Sequence, residues 1–314
     1  IAVSANSHKV IHNLLERVEN IAINQDFVFK GLKKGNPNDI DSFYDGKLIK
    51  TESNERKYID GLKDNKILLY AGTKYHLASW YYRSKIDYLF IEEASQFSLA
   101  DCISLGGIAT NIVLVGDQQQ LGQPTQGSHP NLSGNSVLEY LLKGKDTVPA
   151  DRGIFLTRTH RMHSNINSFI SESFYENKLL TNPQNQNRKI DFPKNFFINK
   201  EGIHTILMDH EDCKQTSEQE FKKIDEIIKK LIGKKFTDVD KKERPLTIQD
   251  FLIVAPYNAQ VNFLLARLPE GTRCGTIDRF QGQEAPVTII SMTSSDLESL
   301  PRNKSFFFNS NRLN

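Results

Sequence analysis

A two-unit α/β fold with mostly parallel sheets is predicted by three features of this 314-residue chain. Two apolar runs, residues 87–91 and 111–115, end abruptly in acidic and amide residues, at Glu92-Glu93 and at Gly116-Asp117-Gln118-Gln119-Gln120. Short apolar runs alternate with stretches of helical period, the pattern of strands joined by crossover helices. The alternation restarts after a Pro-containing stretch at 149–153, which divides the chain into units 1–150 and 151–314. In open α/β sheets ligands gather at the carboxyl ends of strands, where both acidic and amide clusters fall.

The elements follow in order. Residues 1–5 read as a strand. Ser7 is placed to cap a helix carrying Val10, Ile11, Leu14, Leu15 and Val18 at 3.6-residue spacing. Residues 24–65 are polar, contain a Gly-Asn-Pro turn, and read as irregular or inserted. Strands are expected at 66–70, 87–91 and 111–115, with a helix near 98–105 between the last two. A polar loop at 122–134 and a helix at 137–142 close the first unit. In the second, strands are expected at 154–156, 203–208, 251–255 and 287–292, and a helix at 164–175. Ser217-Glu218-Gln219-Glu220 reads as a capping box before Phe221, Ile224, Ile227, Ile228 and Leu231, with Gly233 as the stop.

Hydrophobic residues make up 38% and charged residues 25% of the chain, a globular rather than disordered composition. A net charge of +2 neither demands nor opposes a nucleic-acid partner. Cys102, Cys213 and Cys274 match no zinc spacing and read as reduced thiols, which predicts an intracellular protein. Neither a membrane-length apolar stretch nor a signal peptide is visible, so no membrane partner is expected. The start at Ile1, inside an apolar run, reads as a cut within a longer protein.

Hydrolysis of a nucleoside triphosphate needs one carboxylate to hold Mg²⁺, usually through water, and one to orient the attacking water. Glu92-Glu93 at a strand end supplies the pair. Six blocks, in order, carry a resemblance. They are Ser4-Ala5-Asn6-Ser7-His8-Lys9, Ala71-Gly72-Thr73, residues 92–96, residues 116–124, Thr159-His160-Arg161-Met162-His163, and residues 276–284. They resemble motif Ia, a further single-strand contact, and motifs II, III, IV and V of superfamily 1 helicases. The branch is the one that includes the nonsense-mediated-decay helicase and related DNA helicases.

That resemblance implies two tandem RecA-like domains of the P-loop NTPase fold, with ATP and Mg²⁺ between them and single-stranded nucleic acid across them. It implies Glu93 as the base for water, Glu92 as the Mg²⁺ partner, Gln120 as the γ-phosphate sensor beside Asp117, and Arg161 as an arginine finger. A planar cation suits the last task because it forms paired hydrogen bonds to phosphate oxygens. Asp117, His160, Gly282 and Glu284 would contact the nucleotide. Ser7, His8, Thr73, Tyr257 and Thr276 would contact the strand, DNA being favoured over RNA and movement being 5′ to 3′. Some DNA helicases of this branch carry a RecB-like nuclease domain upstream.

Weaker candidates have plainer readings. The lysine pairs at 222–223, 229–230, 234–235 and 241–242 read as the solvated face of a helix rather than a nucleic-acid patch. Trp80, Tyr81 and Tyr82 read as packing under a sheet rather than as base-stacking rings. His8, His160 and His163 lack metal-ligand spacing.

The chain departs from the family pattern at three places. Glu92 stands where the family has Asp, and one extra methylene alters metal placement. His160 stands where relatives place a larger aromatic ring. No Gly-x-x-x-x-Gly-Lys-Ser/Thr loop occurs, so the resemblance puts it before Ile1, with motif VI after a lead-in at 306–314. The chain by itself is therefore expected to hydrolyse no ATP. Its first unit, lacking a central strand, is expected to expose two strand edges and to be poorly stable alone. Two rival functions are a degenerate nucleic-acid-binding scaffold and a P-loop NTPase that is not a helicase.

Overall fold

In the first unit, β1 (Ala2–Ser4) leads through Ser7 into α1 (His8–Asn24). Then come β2 (Lys30–Lys34), β3 (Ile49–Glu52), α2 (Glu55–Gly61), β4 (Ile67–Ala71), α3 (Lys74–Leu77), β5 (Ile86–Glu92), α4 (Leu99–Leu105), β6 (Ala109–Val115) and α5 (Val137–Leu142). The computed structural model describes residues 1–61, 63–64, 66–79, 82–122, 129–280, 282–295 and 311. Two units, Ile1–Val148 and Pro149–Asn314, divide the chain.

The six strands of the first unit pair in the order β3-β2-β4-β1-β5-β6, and every pairing is parallel. Successive side chains go to opposite faces. Ala2, Tyr70, Leu89 and Ile91 pack with Phe97, Leu105 and Leu138 on one side. Val3, Leu69 and Ala71 pack with Ile11 and Leu15 of α1 on the other. Burial on both faces is why the central strands read as unbroken apolar runs. Ser7 caps α1 as expected, its hydroxyl accepting from the Val10 amide at 3.3 Å. β5 pairs directly with β6 from Ile86↔Ala109 to Glu92↔Val115, so the sheet is continuous and its edges are β3 and β6.

Residues 24–65 are not irregular: they supply β2, β3 and α2. β2, Lys-Gly-Leu-Lys-Lys, escaped the pattern because three of its five positions are lysine. One of them, Lys33, is fully buried. The segment is tied down by a buried acid on the preceding helix. Glu19 of α1 accepts the backbone N–H groups of Lys47, Leu48 and Ile49 at 3.1, 2.7 and 2.6 Å, and the Tyr44 hydroxyl at 3.1 Å. A side chain on Gly46 would strike that carboxylate.

In the second unit the order is β7 (Arg158–Thr159), α6 (Ser164–Phe174), β8 (Leu180–Thr181), β9 (Lys189–Ile190), α7 (Glu218–Leu231), β10 (Lys235–Thr237) and β11 (Glu243–Pro245). β12 (Phe251–Val254), α8 (Asn258–Leu265), β13 (Arg273–Gly275), α9 (Ile277–Phe280) and β14 (Val287–Ile290) complete it. β13-β12-β14 is parallel, as is the β7–β8 pair, while β11-β10-β9 is antiparallel. Ile224, Ile227, Ile228 and Leu231 of α7 pack on Phe251 and Ile253 of β12.

Three expectations fail here. Residues 154–156 form no strand: Ile154 and Leu156 are 86% and 75% exposed, and pairing starts at Arg158. Residues 203–208 alternate in exposure, with Leu207 92% exposed, yet pair with no strand among the described residues. Alternation signals an extended backbone, but a strand also needs a ladder partner. The capping box is half formed. Ser217 accepts from the Glu220 amide at 3.2 Å. The Glu220 carboxylate turns away, taking the Thr293 amide at 2.8 Å and the Ser291 hydroxyl, and the Ser217 amide goes to Gln260 at 2.9 Å. The stop at Gly233 holds, with φ +77°.

Candidate functional site

Parallel pairing delivers the predicted acidic and amide residues to one sheet edge. Glu92 is the last residue of β5, in register with Val115 at the end of β6. Glu93 leaves the strand with φ 54° and ψ 48°, a left-handed conformation that costs a non-glycine residue roughly 1–2 kcal/mol. The neighbouring strand explains the constraint. A Cβ on Gly116 would lie 2.8 Å from the Ala94 amide nitrogen and 3.2 Å from Leu138 Cδ1. Only glycine lets the end of β6 press onto the Glu93–Ala94 turn. From the third side, the Asn6 side chain donates to the Gln96 carbonyl.

Asp117 organises the next turn. One carboxylate oxygen accepts the Gln119 amide at 3.0 Å and the other accepts Gln120 Nε2 at 3.1 Å, so Asp117 aims Gln120. Burial, and then the charge of Glu93, raise the Glu92 carboxyl above its ordinary range, with Arg17 opposing. A cation beside Glu92 would relieve both penalties. Mg²⁺ is commonly held by one or two carboxylates, with water and phosphate completing its shell. No cluster of three or more metal-ligating side chains exists among the described residues. Glu92 and Glu93 supply carboxylate oxygens, the ligand type that Mg²⁺ takes.

The predicted strand contacts of this unit lie past the ends of the adjacent strands β1 and β4. Ser7 and His8 follow β1, and Thr73 follows β4, whose exit is pinned by the Gly72 amide donating to the Val3 carbonyl at 3.1 Å. His8 Nδ1 lies 3.2 Å from Lys33 Nζ. Burial, then Lys33, lower the His8 pKa.

In the second unit, Thr159 Oγ1 accepts the Arg161 amide at 3.2 Å, and Asn185 Nδ2 donates to the Thr159 and Met162 carbonyls at 3.1 and 3.0 Å. Asn182 Nδ2 sits 2.9 Å from His160 Nδ1. His163 caps α6, accepting the Asn165 amide at 3.2 Å. The Arg161 Nε–H donates to Glu284 at 2.9 Å, and both side chains are more than half exposed. An exposed pair is worth only about 0–1 kcal/mol, so the guanidinium is cheaply released to another anion. Tyr257 and Thr276 follow β12 and β13 at one edge of the parallel sheet. Gly282 has φ +75°, with open space where a Cβ would lie. Arg273 holds the following residues, donating to Gln283 Oε1 at 2.8 Å and to the Glu284 carbonyl at 3.3 Å.

Glu92, Glu93, Asp117 and Gln120 are thus brought together in one unit, and Arg161 with Glu284 in the other. Tyr82 is fully buried in the core, the packing reading. Trp80, Tyr81, residues 123–124 of the motif III block, Gln281 and the lead-in at 306–314 lie outside the described residues, apart from Asn311. Two lysines of α7 pair closely within their own helix: Lys223 with Glu226 at 2.7 Å and Lys229 with Asp225 at 2.6 Å. Asn6, Asn182, Asn185 and Arg273 were missed as supports. Single polar residues carry no periodicity, and only Asn6 sat inside a recognised block.

Residues 134–314 match the family described as AAA domain. Over 232 residues, 68% of this chain, it is 28% identical to the DNA polymerase alpha-associated DNA helicase A of Schizosaccharomyces pombe, covering 33% of that protein. Over 216 residues, 67% of this chain, it is 28% identical to the DNA replication ATP-dependent helicase/nuclease DNA2 of Gallus gallus, covering 20% of it. The corresponding dna2 protein of Schizosaccharomyces pombe is 26% identical over 250 residues, 72% of this chain and 17% of that one. The chain spans a third or less of the length of these relatives. The chain belongs to the AAA domain family, as a superfamily 1 helicase-like core on a RecA-like P-loop NTPase fold.

Proposed function

We propose that this chain is the motor core of an ATP-dependent helicase or translocase acting on single-stranded nucleic acid, DNA rather than RNA, with 5′-to-3′ movement. The observation that carries the reading is the stitching of three motif-bearing turns at one sheet edge. Gly116 presses on the Ala94 amide, and Asn6 donates to Gln96. In this reading Glu93 takes the proton of the attacking water. Gln120, aimed by Asp117, senses the γ-phosphate, and Arg161 leaves Glu284 to stabilise charge on it. His160, Gly282 and Glu284 contact the nucleotide. Ser7, His8, Thr73, Tyr257 and Thr276 hold the strand by sequence-blind contacts. Mg²⁺, held near Glu92 through water, would neutralise charge on the phosphate oxygens.

The relatives named as DNA helicases support DNA as the partner and an intracellular location. Two of them are named helicase/nuclease, which supports a RecB-like nuclease domain upstream in the full-length protein. A second reading, a nucleic-acid-binding scaffold of the same fold, is favoured by the Glu92 carboxyl, longer than Asp and raised by burial.

Glu93→Gln in the full-length protein separates the two. Loss of strand-stimulated ATP hydrolysis by about 100-fold or more, with strand binding retained, is expected of the motor. Binding without turnover, indifferent to that substitution, would identify the scaffold. The 314-residue chain on its own, with no phosphate-loop sequence, is expected to bind strand but show no turnover.

A further inference from the structure

The polar segment between α1 and β4 lies under the turn that carries Thr73. Tyr58 of α2 is fully buried, and its hydroxyl donates to the Ala71 carbonyl at 3.1 Å. Its ring stands edge-on to His76 at 5.0 Å, Tyr70 at 5.9 Å and Tyr82 at 6.1 Å. His76 Nε2 is hydrogen-bonded to the Tyr82 hydroxyl. On the other side of His76, Glu55 of α2 lies 3.7 Å from Nδ1 and bridges to Lys34 of β2 at 3.1 Å. A Cβ on Gly72 would meet His76 Cδ2 at 3.0 Å, so the turn leaves β4 pressed against this group.

Among the described residues, the Thr73 side chain takes no part in capping α3. The Thr73 backbone carbonyl does so, accepting the His76 and Leu77 amides at 3.0 and 3.1 Å. The next residue cannot follow a ligand, because Lys74 is buried and paired with Asp101 at 2.5 Å. Thr73 is therefore a partly buried residue held between two fixed points, Ala71 and Lys74. The same segment props the other turn, since Lys33 of β2 is buried against His8 and donates to the Ser42 carbonyl. A lysine N–H given to Nδ1 leaves the His8 proton on Nε2, as a donor to an anion.

From this juxtaposition we infer that residues 25–61 are the support of the single-strand surface, with Tyr58 a positioning residue that acts through the Ala71 carbonyl on Thr73. The inference rests on the reading of Thr73 as a strand contact. A hydroxyl held in place binds a phosphodiester oxygen without the ordering cost a mobile turn would incur.

The test is binding of fluorescein-labelled oligo(dT) to the full-length protein, by anisotropy at fixed salt, for Tyr58→Phe, Thr73→Val and the double variant. Tyr58→Phe keeps the ring and removes one hydrogen bond. It is expected to weaken binding about three- to tenfold. The double variant is expected to bind no worse than Thr73→Val alone, since both act through one contact. Tyr82→Phe takes a hydroxyl from the same core whose bond goes to His76 rather than to Ala71, and is expected to lose less affinity than Tyr58→Phe. Wild-type affinity of Tyr58→Phe, additive losses in the double variant, or an equal loss from Tyr82→Phe would each overturn the role of Tyr58. Unchanged binding by Thr73→Val would instead remove the strand-contact reading beneath it.

Discussion

Glu92 ends β5 partly buried beside Glu93, and burial and that neighbour's charge hold its carboxyl above the ordinary range. A raised carboxyl binds its proton more tightly folded than unfolded. Its contribution is therefore present at low pH and lost as pH rises through the folded pKa. At neutral pH the ionised side chain costs stability that a bound cation would offset. Glu92→Gln is thus expected to raise the melting temperature of the metal-free full-length protein, while abolishing its Mg²⁺-dependent turnover. Melts in EDTA test this, and a lower melting temperature would show that Glu92 is not under strain. The acid pair was legible because a strand end followed by two carboxylates is a local pattern. Asn6 at Gln96, Asn185 under the 159–163 turn and Arg273 at Glu284 were not, because each acts across at least 11 residues of chain.

The segment between α1 and β4 shows what propensity misses at the level of elements. Three lysines in β2 argue against a strand, yet β2 pairs with both β3 and β4. Glu19 compensates by taking the backbone N–H groups of Lys47, Leu48 and Ile49, which lead into β3. Its side chain is buried, so Glu19→Ala leaves those donors without an acceptor. It is expected to destabilise the protein by about 2–4 kcal/mol, measured by urea unfolding. Glu19→Gln, which keeps one acceptor oxygen, should lose less. The opposite error occurs at 203–208, where an apolar alternation finds no ladder among the described residues, and at 154–156, where apolar side chains face solvent. Periodicity reports which face of a segment is apolar; pairing depends on what lies alongside.

At the scale of the whole molecule, the two units differ in how acid acts on them. In the first, burial lowers His76 to about 4, and burial with Lys33 and His8 lowers His12 to about 4. The unfolded chain takes up those protons first, so stability declines as pH falls from 6.5 towards about 4. In the second, burial pushes Asp250 up, but paired hydrogen bonds from Arg244 at 2.7 and 2.6 Å and bonds from Thr247 bring it below its ordinary 3.8. That contribution survives until pH falls through 3.8 and below. Acid titration followed by hydrogen exchange is therefore expected to open the first unit before the second. Simultaneous opening would contradict this.

By itself the sequence determined the fold class, the order of the motif-bearing turns and the chemistry of the acidic and amide strand ends, because strand patterning and motif spacing are local. It also placed the cap of α1 and the extents of α4 and α5. Only the tertiary structure decided that a lysine-rich segment joins the sheet, that Gly116 must be glycine, and that Tyr58 bonds the Ala71 carbonyl at the end of β4. Each of these depends on two distant stretches meeting at close range. A buried charge or a missing Cβ has meaning only once its neighbour is in place.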